Sequence, residues 1–139
     1  SMVAGGSFNL ASGIQAAVCG GRESEASNYN ATVSGGYSSL ASGQYSSVTG
    51  GYDNEASGDY ASISGGSSGL ASGERSSVGG GGSNVASGHI STVSAGANNE
   101  AFTTGATVAG GGGNYALGAY STVCGGSYQT VTTDYGYGP

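Results

Sequence analysis

Nine glycines, Gly6, Gly21, Gly36, Gly51, Gly66, Gly81, Gly96, Gly111 and Gly126, stand 15 residues apart without a slip. The alanines from Ala11 to Ala116 keep the same step, as do Val3, Val18, Val33, Val48, Ile63, Val78, Val93, Val108 and Val123. One cycle reads Asn/Ser-x-Ala-Ser-Gly-x-x-Ala/Ser-Ser/Thr-Val-Ser-Gly-Gly-x-x, with no insertion or deletion along the chain. A disordered tract has no physical reason to hold such a register. A stacked solenoid does, because one extra residue would break the stacking of every later coil.

Composition says why order must come from repetition. Gly, Ser and Ala number 31, 25 and 18 of 139 residues, and Leu, Ile, Val and Phe together only 19. That share lies below the ~20% at which disorder becomes the default expectation. Each fully buried Val or Leu contributes about 1.5–3 kcal/mol, too little here to order a globule of this length. Ten residues are charged (2 basic and 8 acidic) and the net charge is −6, which excludes a basic nucleic-acid groove. No apolar run is long enough for a membrane helix.

The cycle is not helical, since each coil carries two to five glycines and each costs a helix roughly 1 kcal/mol relative to Ala. Around Val the pattern is Ser/Thr-Val-Ser/Thr, which places Val on one face of a strand and hydroxyls on the other. Strands are predicted for segments of the type Ser46–Thr49 and Leu40–Ser42. Turns are predicted at the Gly50-Gly51 pair and at Gly43, where Gly would supply positive φ and Asn28 would replace it once. The fold class is all-β, a parallel β-solenoid of about 8–9 coils. At ~4.8 Å per coil the rod is roughly 40 Å long. The double Gly favours a two-strand roll over a three-sided helix, although the steps Ala41, Ser46, Gly51 and Ala56, Ala61, Gly66 also suit five residues per face. One Val and one Ala per turn make a thin interior, so side-by-side oligomerisation is expected to supply further burial.

The cycle, best seen in Asn54–Gly66 and Asn84–Gly96, resembles the head repeat of trimeric autotransporter adhesins, the YadA-like head, from Val3 to Gly126. The resemblance implies a left-handed β-roll, a homotrimer, and display on a Gram-negative bacterial surface. It also implies binding to a host extracellular-matrix or cell-surface ligand, protein or glycan. The strict 15-residue coil and the cysteines depart from that family's usual pattern.

Several residues are candidates for binding. Tyr45, Tyr60 and Tyr120 share one place in the cycle, and Tyr37 and Tyr52 another; each set should stack along the rod at a turn. Tyrosine gives large amphipathic contact area at low entropy cost. Thr32/Ser34, Ser47/Thr49, Ser62/Ser64 and Thr92/Ser94 flank the Val stripe and point outward, which resembles the ice-binding face of insect antifreeze β-helices. Glu25, Glu55 and Glu100 alternate with Leu10, Leu40, Leu70, Val85 and Tyr115 just before the inward Ala. Gly-Gly is plentiful, but the Asp of a calcium-binding nonapeptide repeat is missing. His89 lacks a catalytic partner, and Gly79-Gly80-Gly81-Gly82 lacks the Lys-Ser/Thr of a phosphate loop. No constellation combines nucleophile, base and orienting group, so no enzyme, cofactor or metal is expected. Cys19 and Cys124 lie seven coils apart, ~34 Å, far beyond disulfide reach within one chain.

Two regions are expected: residues 1–128 as one repeat domain, and 129–139 as an irregular end, because Val131 and Thr133 break the pattern. The leading functional expectation is a structural, adhesive head module of a trimeric surface fibre. It would be extracellular and tied to the outer membrane only through a C-terminal anchor outside this sequence. The alternatives are an ice-binding β-solenoid and a phage tail-fibre or spike segment.

Overall fold

The computed structural model describes residues 1–139. It is an all-β parallel solenoid of about nine coils, with no helix. Every strand has two residues. Strands of the Ser47–Val48 type, from Met2–Val3 to Tyr137–Gly138, stack into one ten-stranded sheet. Strands of the Leu40–Ala41 type, from Leu10–Ala11 to Thr130–Val131, stack into a nine-stranded sheet. Pairing is in register at a step of one coil, as in Val48↔Ile63 and Ala41↔Ala56.

A third ladder, not foreseen from the sequence, runs through single bridges Ser7↔Arg22↔Tyr37↔Tyr52↔Ser67 and onward to Ser127. The cross-section is therefore a two-sheet roll closed by a narrow third side. The five-residue step did not generate three equal faces, because the ladders fall at unequal intervals along the coil. Ordering comes largely from the backbone. Of 91 backbone hydrogen bonds only 17 lie within the strands, and most of the rest join one coil to the next. Each satisfied N–H and C=O avoids the cost of an orphaned polar group.

Between the sheets, columns of like side chains stack. The Val column from Val18 to Val123 and the Ala column from Ala26 to Ala116 are essentially fully buried. A third inward column mixes Ala16, Ala31, Ala61 and Ala106 with Ser46, Ser76, Ser91 and Ser121. A fourth is polar and includes Asn54, Asn84, Asn99 and Asn114. Each of these Asn side chains donates to two turn carbonyls, as Asn99 does to Ala95 at 3.1 Å and Gly111 at 3.0 Å. Each Oδ1 accepts the backbone N–H of the residue one coil on.

Glycine has two distinct uses here. Gly51 and its eight equivalents adopt positive φ, +98° at Gly51, and at all but Gly126 a Cβ would collide with the carbonyl of the following coil. Gly43 does not adopt that conformation, contrary to the sequence expectation. Its column is glycine because a Cβ would press into the carbonyl of Gly58. Asn28 and Thr103, which replace it, each donate to a carbonyl of the next coil, Ser42 O at 2.8 Å and Gly118 O at 2.7 Å. The left-handed corners belong instead mostly to non-glycine residues, among them Tyr45 (φ 57°), Tyr60 (φ 58°) and Ile90 (φ 56°), with Gly105 and Gly113 the two glycines. There the N–H turns back to the preceding coil, as Tyr45 N donates to Tyr29 O at 2.9 Å.

The expected irregular end is corrected. Thr130–Val131 and Tyr137–Gly138 extend both sheets in register. Val131 stands in the Ala column, while Gly136 and Gly138 stand in the Ser/Ala and Val columns. A Cβ on Gly136 or Gly138 would meet the Val131 methyls at 2.5 and 2.8 Å. The large residue and the small ones have exchanged places, so the volume of the coil is kept.

Candidate functional site

The tyrosines form two exposed columns on different edges of the rod. At the left-handed corner, Tyr45 and Tyr60 stack with centroids 4.9 Å apart and planes 4° apart. Tyr29 meets Tyr45 edge-on at 5.5 Å, and the Arg75 guanidinium lies 5.7 Å from the Tyr60 centroid. Glu74 lies between Arg75 and His89, at 3.8 and 3.9 Å. On the narrow third side, Tyr37 stacks on Tyr52 at 5.3 Å, with Arg22 5.7 Å from the Tyr37 centroid. Both cations of the chain therefore cap a tyrosine stack. Cation–π contact of this kind is worth roughly 0.5–1 kcal/mol at an exposed site.

Tyr120 is not part of the Tyr45 column. Arg75, Ile90 and Gly105 occupy the intervening coils, and Tyr120 instead stacks on Tyr135 at 5.3 Å. The sequence reading missed Tyr29, one residue out of register, and Tyr135, in the coil assigned to the irregular end. It also missed the two arginine caps, although Arg75 occupies the same place in the cycle as Tyr60. Within each stack the ring faces cover each other, so the columns offer solvent their edges and hydroxyls. The Tyr37 hydroxyl is held above its ordinary pKa by its hydrogen bond to Glu23 and by that carboxylate's charge.

The outer face of the ten-stranded sheet is chemically different. Ser47 and Thr49, with their equivalents, point outward beside the buried Val column. None of the ten charged residues falls between the cycle positions of Ser46 and Gly51. Cys19 and Cys124 are on this face, free and exposed. The Cys124 sulfur and the Tyr137 hydroxyl are hydrogen-bonded at 2.9 Å, and where the phenol O–H is the donor this contact raises the Tyr137 pKa.

The outer face of the nine-stranded sheet carries Leu10, Glu25, Leu40, Glu55, Leu70, Val85 and Glu100 in one column. An open groove of about 340 Å³ crosses it beside Leu40, Asp53, Glu55 and Leu70. No three His, Cys, Asp or Glu residues converge to form a metal centre, and no helix is long and apolar enough to cross a membrane. No protein-family model matches the chain, and no curated protein is significantly similar to it.

Proposed function

We propose that this chain is a non-enzymatic adhesive display module, the head segment of a homotrimeric bacterial surface fibre that binds host matrix or cell-surface ligands. The observation that carries the reading is the pair of exposed, arginine-capped tyrosine columns on a scaffold tied coil to coil by backbone hydrogen bonds. Rigid aromatic edges with hydroxyl tips suit weak contacts repeated along a rod and across chains, where avidity multiplies modest affinities. The uncharged Ser/Thr face would pack against the other chains, since it has no charge to desolvate and its hydroxyls would hydrogen-bond across the interface, as burial of a hydroxyl requires.

The same face favours a second reading, an ice-binding surface made of outward hydroxyls in successive rows. The two readings exclude each other, because a face covered by other chains cannot meet ice. Cys19 and Cys124 report on it directly. In a trimer that covers the face, both thiols resist a disulfide reagent until the protein is denatured. In the ice-binding case light scattering gives a monomer, both thiols react at once, and the solution shows thermal hysteresis. A monomer with no hysteresis and no retention on matrix- or glycan-coated surfaces overturns both.

A further inference from the structure

From Leu10 to Leu70 the outer column of the nine-stranded sheet alternates apolar and acidic side chains one coil at a time. Leu10, Leu40 and Leu70 recur every second coil, and Glu25 and Glu55 fill the coils between. Their strand neighbours from Ala26 to Ala71 are buried, so these side chains face outward. Coils stack at about 4.8 Å, so like residues repeat every ~9.6 Å along the rod. Glu25, Glu55 and Asp53 take part in none of the ion pairs. The strip thus presents unneutralised carboxylates at a fixed spacing between leucines, with the groove along its Leu40–Leu70 end.

An extended partner lying along the rod must match that spacing. A polyproline II segment returns the same face every three residues, about 9.3 Å. A β-strand returns it every ~6.8 Å, and an α-helix after seven residues, ~10.5 Å. From Leu10 to Leu70 is four coils, ~19 Å. Six residues of polyproline II cover ~18.6 Å, whereas fourteen of a helix cover ~21 Å. Such a segment is preformed, so little ordering entropy is lost on docking.

We infer that the Leu10–Glu25–Leu40–Glu55–Leu70 strip docks a single proline-rich strand carrying Lys or Arg at every third position. Its prolines rest on the leucines, and its cations reach Glu25 and Glu55. The inference deepens the display reading above and rests on it.

Fluorescence polarisation with a labelled (Pro-Pro-Arg)₄ peptide tests it. Binding is expected to weaken at least about tenfold for the equally charged but flexible (Gly-Ser-Arg)₄, as expected for spacing and preorganisation. A similar loss is expected for the Glu25→Gln/Glu55→Gln protein. Glu100→Gln, in the same column but three coils from Glu55, should change binding less than about twofold. Equal affinity for the flexible peptide, an equal loss in Glu100→Gln, or no binding at all overturns the inference. So does a change of oligomeric state in the double variant, which would show that a second copy covers the strip. If peptide binding fails while the protein still adheres to matrix- or glycan-coated surfaces, the strip is wrong and the display reading stands. If both fail, the reading falls with it.

Discussion

The Oδ1 of Asn84 accepts the backbone N–H of Asn99 at 3.0 Å, and the Oδ1 of Asn99 accepts that of Asn114 at the same distance. Each side-chain amide is thus a rung that joins a turn to the coil beyond it. Truncating Asn99 to Ala removes one buried and two part-buried hydrogen bonds; it leaves the Asn114 N–H and the Ala95 carbonyl without their partner, while the Gly111 carbonyl keeps the Ala97 N–H. Stability is expected to fall by about 2–3 kcal/mol. Asn9, in an exposed end coil, has the same role with more access to water. Asn9→Ala should cost less than about 1 kcal/mol. Denaturant midpoints with amide hydrogen exchange of the flanking coils check the contrast; equal losses at the two positions would refute it.

The glycine pair should respond asymmetrically to a methyl group. Gly80 faces open space, and Ala95 already occupies the equivalent place. Gly81 has φ +87°, and its Cβ would collide with the Gly96 carbonyl. Gly80→Ala should stay within about 0.5 kcal/mol of the parent. Gly81→Ala should cost roughly 3 kcal/mol or more, from the left-handed backbone and the displaced coil together. Thermal or chemical unfolding of both variants distinguishes them.

Alkaline titration should show the effect of Glu23 on Tyr37. Its pKa is raised in the folded chain by the hydrogen bond to Glu23, then by that carboxylate's charge. The linked stabilisation is therefore fully present below the unfolded tyrosine pKa, ~10, and is lost as pH rises through the higher folded value. Resonances of the Tyr37 ring followed by NMR should titrate later than those of an isolated tyrosine. Glu23→Gln should bring the midpoint down. An unchanged Tyr37 midpoint in that variant would mean that another group holds the proton.

The exchanged residues of the last coil predict a compensating pair. Val131→Ala alone leaves a void beside Gly136 and Gly138, costing about 1–2 kcal/mol. Gly138→Val alone forces methyls against Val131, where a Cβ already stands 2.8 Å from a Val131 methyl, at a cost of about 1–3 kcal/mol. The double variant rebuilds the Ala and Val columns of the earlier coils and should recover most of both losses. Additive losses in the double-mutant cycle would argue against direct contact.

The two sheets, their register and the inward Val and Ala columns were legible because each recurs from coil to coil as far as Val123 and Ala116, with Ile63 the one substitution. The third ladder was not, since Ser7, Arg22, Tyr37, Tyr52 and Gly82 share no side-chain property. Along the whole ladder only the backbones pair, and side chains meet only from Arg22 to Tyr52. The left-handed corners were hidden for a related reason. Glycine usually marks positive φ, but Tyr45, Arg75 and Ile90 adopt it here because the coil returns the N–H to the previous turn. The tyrosine columns were visible where the period held, as for Tyr45 and Tyr60. Tyr29 escaped because a side chain can cross one residue of register to reach its neighbour. The end coil misled because Val131 was read alone, without the glycines that make room for it.

The bonds between coils run nearly parallel to the long axis, and this sets how the rod meets load. Traction on its two ends pulls those bonds in tension a coil at a time, like thread leaving a spool. Each freed coil of 15 residues would release about 50 Å of chain. Compression and bending instead press the ladders together. A single chain is therefore a better spacer than tether, and a role under pull calls for neighbours that hold the coils closed.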